Sequence, residues 1–107
     1  MESPFAVIRT REISIEGYLK QEVERHGGQC WKFVSPGRNG VPDRIVFLPG
    51  CGCIFVELKA PGKQLRKLQA FVHEQIKTFG CKIETLSTKE QVDDFIKRHV
   101  QHSQGTA

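Results

Sequence analysis

Apolar positions along the chain change period several times, and each change marks an element. From Ser14 they recur every four residues, at Ile15, Leu19 and Val23 with Tyr18 alongside, while Lys20, Gln21, Glu24 and Arg25 take the opposite side. That spacing predicts an amphipathic helix with Ser14 as N-cap and Gly27-Gly28 as its stop. Glu16 falls in the first turn at the border of the stripe, where the helix dipole alone would favour an acid. Gln29 to Val34 alternates and carries aromatic residues, the pattern of a strand. Ser35-Pro36-Gly37-Arg38-Asn39-Gly40-Val41-Pro42 cannot be regular structure. Ile45-Val46-Phe47-Leu48 and Cys53-Ile54-Phe55-Val56 then flank Pro49-Gly50-Cys51-Gly52, a β-hairpin.

Leu65, Leu68, Val72, Ile76 and Phe79 mark a second helix of about four turns, closed by Gly80. Gln69 shares its buried side, and an amide there needs partners. Cys81 to Leu86 alternates as a fourth strand, and Ser87-Thr88-Lys89-Glu90 reads as a capping box opening a last helix with Val92, Phe95 and Ile96 inside. Residues 1–10 read as an extended arm in which Phe5, Val7 or Ile8 covers an edge, and residues 100–107 as a frayed polar tail. The order is α-β-β-β-α-β-α. This is one α/β domain over residues 1–107, with its core at about 14–98 and no internal repeat.

The hairpin carries a chemical problem. Asp43 opens its first strand, while Glu57 and Lys59 close the second, and charges at the ends of apolar strands are costly unless paired, hydrated or bound to a metal. Side chains alternate along a strand, so register decides whether the acids meet. Pairing Leu48 with Cys53 turns Asp43 and Glu57 to opposite faces. Pairing Asp43 with Glu57, Ile45 with Phe55 and Phe47 with Cys53 puts Asp43, Glu57 and Lys59 on one face, and requires an odd-length connection or a bulge. Val46, Leu48, Ile54, Val56 and Leu58 then line the other face. Both faces are largely apolar, so helices are expected on both sides of a mixed sheet.

Two adjacent carboxylates repel, and a hard divalent cation relieves this while keeping coordination positions for water and phosphate oxygens. Lys59, projecting the same way as Glu57, could hold an attacking water or neutralise a pentavalent phosphate. The plainer alternative is a surface Glu57–Lys59 pair with Asp43 as a turn residue.

Composition adds bounds. Sixteen basic against twelve acidic residues give a net charge of +4, which favours a polyanionic partner only weakly. Position says more, because basic residues gather between the first strand and the second long helix. Lys32, Arg38, Arg44 and Lys63 are the candidate contacts to such a partner, which is DNA if the resemblance described below holds. No apolar run reaches the roughly 18 residues of a membrane span, and Phe5-Ala6-Val7-Ile8 is too short for a signal peptide. The expected location is intracellular. The four cysteines, Cys30, Cys51, Cys53 and Cys81, lack the spacing of a zinc ribbon, and Cys30 and Cys81 fall in strand patterns that suit buried thiols.

At Glu16, Gly40-Val41-Pro42-Asp43, Glu57-Leu58-Lys59 and Gln69 the chain resembles the PD-(D/E)XK nuclease superfamily, and within it the VRR-NUC (virus-type replication-repair nuclease) domains of stand-alone phage type. The likeness covers roughly residues 14 to 98. It implies an α-β-β-β-α-β core followed here by one more helix, and phosphodiester hydrolysis dependent on Mg²⁺ or Mn²⁺ without a nucleotide cofactor. Asp43, Glu57 and the Leu58 carbonyl would carry the metal, joined directly or through water by Glu16. Lys59 would be catalytic, and Gln69 would orient Lys59 or a water. Such proteins resemble Holliday-junction resolvases that act as homodimers, with the arm or the last helix as candidate interfaces. The implied function is a structure-selective DNA endonuclease resolving four-way junctions. Its competitors are a monomeric flap or restriction-like nuclease and a non-catalytic nucleic-acid-binding module.

Overall fold

The computed structural model describes residues 14–105, with side chains as far as Val100, so the expected N-terminal arm lies outside the described residues. Ser14 caps helix α1 (Ile15–Arg25), its Oγ accepting from the Gly17 amide at 3.0 Å. Leu19 and Val23 are fully buried, as the four-residue spacing requires. After the helix, Gly27 turns the chain at φ 85°. Gly28 then passes so close to strand β2 that a Cβ on it would lie 2.0 Å from the Phe47 carbonyl oxygen. Strand β1 (Gln29–Lys32) stops two residues short of Val34, which is exposed at the entry to the Pro36 loop.

Strands β2 (Arg44–Leu48) and β3 (Gly52–Leu58) form the hairpin, pairing Ile45 with Phe55, Phe47 with Cys53 and Leu48 with Gly52. The connection is therefore Pro49-Gly50-Cys51, three residues, closed by a Cys51 N–H to Leu48 C=O bond of 3.0 Å. Gly50 and Gly52 both take positive φ, which an odd-length turn of this kind demands. The register is the one that puts Asp43 and Glu57 on the same face.

Helix α2 (Lys67–Thr78) crosses over to strand β4 (Lys82–Leu86), which pairs parallel to β3; a parallel neighbour cannot be reached by a tight turn. The sheet order is β1-β2-β3-β4. Helix α3 (Lys89–Gly105) follows, so the chain beyond Val100 remains helical to Gly105 where a frayed tail was expected. Its cap is Thr88, whose Oγ1 accepts from the Gln91 amide at 3.0 Å, while the Gln91 side chain returns to the Ser87 amide. The capping box thus sits one residue later than the Ser87–Glu90 spacing implies, because Gln91 serves as well as a glutamate in the reciprocal role.

Helices α1 and α3 pack together on one face of the sheet. Leu19, Val23, Val46, Leu48, Ile54, Val56, Leu86, Val92, Phe95 and Ile96 form a single core there with Cys30. Helix α2 covers the other face mainly over β4. It buries Val72 and His73 but leaves Leu68, Phe71 and Phe79 exposed, the last at 82%. The wide apolar stripe inferred for this helix is therefore only partly used, because a helix lying over the β4 side contacts little else. Cys81 is likewise exposed where a buried thiol was expected, at the turn after Gly80.

Gly28→Ala should destabilise the fold by about 2 kcal/mol or more, because the new methyl must displace backbone. Gly37 is the control, since a Cβ there would meet nothing within 4 Å. Gly37→Ala should fall within about 0.5 kcal/mol of the parent. Urea denaturation of both variants measures the contrast, and equal midpoints would contradict it.

Candidate active site

The Pro36–Pro42 loop delivers Asp43 to the sheet. Gly40 holds φ 84° with its backbone against α2, where a Cβ would lie 3.0–3.1 Å from atoms of Leu68 and Val72. Pro42 is fully buried, and the Phe33 amide donates to the Asp43 carbonyl at 2.9 Å. Asp43 is thus pinned on both sides before β2 begins. Its Oδ1 accepts from the Leu58 amide at 3.2 Å, tying the first acid to the strand that carries the second. A strand residue sends its N–H and C=O to the same edge, so the Leu58 carbonyl is directed toward the Asp43 side as well.

Glu57 is 4% exposed. Gln69, projecting from the first turn of α2, donates to Glu57 Oε2 at 3.1 Å, and Lys59 Nζ stands 3.7 Å from the same oxygen. The Gln69 side-chain oxygen accepts from the Arg66 amide at 2.9 Å, which makes Arg66 the N-cap and explains why α2 begins at Lys67 and not at Leu65. Gln69 therefore holds Glu57 directly, on the same oxygen that Lys59 approaches. The other Glu57 oxygen, Oε1, is buried and has no hydrogen-bond partner.

Both carboxyls hold protons more tightly than usual. Burial pushes Glu57 up, and the neighbouring Asp43 charge adds to this against the pull of Lys59. Burial also pushes Asp43 up, opposed by the Leu58 amide and by Arg44. The two desolvated acids lie side by side, with Lys59 as the neighbouring cation on Glu57.

Glu16 reaches the same end of the sheet from α1, on the opposite face. Its carboxylate is held by Arg44 at 2.5 Å, and that bond lowers its pKa. Arg44 is 7% exposed. Grouped by sequence with the DNA contacts, it is instead a buried guanidinium engaged with Glu16, because the first residue of β2 points into the α1 side of the sheet. Glu16 touches neither Asp43 nor Glu57 directly, although its field reaches Asp43. Arg38 bonds the Gln75 side chain of α2 and so fastens the glycine-rich loop to the helix. Lys32 and Lys63 are exposed.

One residue at this site carried no signal that singled it out. His73 lies one turn after Gln69 on α2, and the i, i+4 spacing puts both on one helix face. Its Nε2 stands 3.9 Å from Glu57 Oε1, and burial pushes its pKa down.

A divalent cation fits this donor set. Asp43 and Glu57 supply carboxylate oxygens, the Leu58 carbonyl is aimed alongside, and Glu57 Oε1 is left without a partner. Among the described residues no group of three or more His, Cys, Asp or Glu side chains is placed to hold a metal ion, so the carboxylate donors here are two, Asp43 and Glu57. Such an open, oxygen-rich arrangement suits Mg²⁺ or Mn²⁺, which keep several positions for water and phosphate.

No family model matches the chain. A curated relative named "Putative nuclease p44", from Acyrthosiphon pisum secondary endosymbiont phage 1, is 46% identical over 80 residues, which cover 75% of this chain and 86% of p44. A solved structure described as a VRR_NUC domain superposes with a TM-score of 0.70 at 32% identity, covering 75% of this chain and 87% of that one. The likeness in sequence and in three dimensions spans most of both relatives, and on that ground the chain belongs to the VRR-NUC family of nucleases.

Proposed function

We propose that the protein is a divalent-metal-dependent, structure-selective DNA endonuclease that resolves four-way junctions as a homodimer. The observation that carries the metal-dependent reading is the pairing of two desolvated carboxyls with raised proton affinity, Asp43 and Glu57, beside Lys59. A bound Mg²⁺ or Mn²⁺ would polarise the scissile phosphate and lower the pKa of a bound water. Asp43, Glu57 and the Leu58 carbonyl would hold that ion, while the Gln69 amide keeps the Glu57 carboxylate from rotating away. Lys59, tethered near Glu57 Oε2, is placed to stabilise charge building on the phosphate. Glu16, held by Arg44 on the α1 side, would join the acidic edge through water.

For DNA, Lys32, Lys63 and the Arg38 loop are exposed cations around this edge, suited to backbone contacts that position without reading sequence. A non-catalytic binding module is disfavoured, since Asp43 and Glu57 would repel phosphate without helping binding. Four-way junctions need two nicks, hence two sites. Apolar side chains left in solvent, Trp31 on β1 and Leu68, Phe71 and Phe79 near or on α2, favour a second copy over a monomer.

Raised carboxyl pKa values stabilise the folded state below the unfolded pKa, and that contribution is lost as pH rises through the folded pKa. Once deprotonated, the two neighbouring acids repel. Asp43→Asn keeps the acceptor for the Leu58 amide and should therefore raise Tm in chelator at pH 8, by roughly 4–8 °C for each kcal/mol of repulsion relieved. The gain should fade toward about pH 4, where the parent is itself protonated. A lower Tm at pH 8 would contradict the repulsion.

Asp43→Ala, Glu57→Ala and Lys59→Ala should each reduce metal-dependent cleavage of labelled four-way junctions by about 10³-fold or more while junction binding in Ca²⁺ persists. Cleavage retained in Asp43→Ala would remove the assignment. Sedimentation equilibrium should return a dimer. A monomer that cuts flaps faster than junctions would instead favour the flap-nuclease reading.

A further inference from the structure

The site contains two buried polar atoms without partners, and they face each other. Glu57 Oε1 and His73 Nε2 are both shielded from solvent, both lack a hydrogen bond, and lie 3.9 Å apart. Buried polar atoms are paired in the great majority of cases, so two orphans at this separation mark an interaction that is nearly made. The gap closes with a shift of about 1 Å.

We propose that His73 is a positioning residue for the metal site, holding Glu57 Oε1 from the helix side as Gln69 holds Oε2. It rests on the metal-dependent reading above. Gln69 and His73 are one turn apart on α2, so a single rigid helix presents a donor to each oxygen of one carboxylate. Each oxygen keeps a second lone pair, which leaves the carboxylate edge free to face a cation. His73 in its Nε2–H form supplies the donor, and Val72 and His73 are the buried residues of α2 among the described residues. Groups behind a metal-binding carboxylate typically change metal affinity 10- to 100-fold when removed.

Calorimetric titration of the full chain with Mn²⁺ alone, without DNA, tests this. His73→Leu should weaken Mn²⁺ binding at least about tenfold, while its Tm in chelator stays at or above that of the parent. His73→Gln, whose amide nitrogen occupies the place of Nε2, should bind within about threefold of the parent. His73→Asn, whose amide stops short of Glu57, should bind as weakly as His73→Leu, and it decides the matter if the leucine variant does not fold. Parent-like affinity in His73→Leu or His73→Asn overturns the role of His73 alone, as does a His73→Gln variant as weak as either. A parent protein that binds no Mn²⁺ overturns the metal-dependent reading itself, and this one with it.

Discussion

Everything at the active edge depends on one constraint: two carboxylates must share one face of the sheet at a place where packing strips their water. A three-residue turn, Pro49-Gly50-Cys51, shifts the hairpin so that Ile45 meets Phe55 and the next pairs outward carry Asp43 and Glu57 together. A two- or four-residue turn would send one acid to the core face occupied by Val46, Ile54 and Val56. The cost of the chosen register is visible in both carboxyls, whose proton affinity rises chiefly because burial removes their hydration, with the Asp43 charge adding to the effect on Glu57.

Much of the remaining structure holds that costly pair in place. The Leu58 amide fixes Asp43, and Gln69 fixes Glu57 while also setting the start of α2. Gly40 lets the loop lie directly on Leu68 and Val72, so the strand carrying Asp43 and the helix carrying Gln69 cannot move independently. Arg38 adds a second tie between loop and helix through Gln75. On the far face Arg44 and Glu16 form a buried-to-exposed ion pair that anchors α1 to the first residue of β2. Structural and chemical roles overlap in these side chains, which is why their removal is expected to affect geometry before it affects charge.

Away from this edge the fold follows ordinary packing. Phe95, Val92 and Ile96 of α3 and Leu19 and Val23 of α1 close the core against Val46, Ile54 and Val56. The Glu84 carboxylate, bound by Arg98 and His99, fastens α3 to β4; burial raises its pKa, but the hydrogen bonds from these two side chains outweigh it and the net shift is downward. Among the described residues no helix is long and apolar enough to cross a membrane. The large apolar side chains of α2 that remain in solvent contrast with this closed core.

Local signals were enough for the element order, the hairpin and the Ser14 cap, because each rests on spacing within or between neighbouring elements, while the convergence of Asp43, Glu57, Lys59 and Gln69 came from the resemblance and from one of two possible registers. The same signals misjudged α2, where Leu68 and Phe79 fit a buried stripe that has too little sheet beneath it. They also could not separate Arg44 from its exposed basic neighbours, since burial of that side chain depends on α1 arriving over the sheet end with Glu16. His73 was silent for a related reason: a histidine on a helix face is unremarkable until a carboxylate from a strand 16 residues earlier is brought within 3.9 Å of it. Periodicity is a property of the chain, so the sequence determined the strands and narrowed their register to two, and the pairing of Leu48 with Gly52 selected one. Which charges are desolvated, and which atoms are left without partners, depends on elements distant in sequence closing over them, and only the tertiary structure decided that.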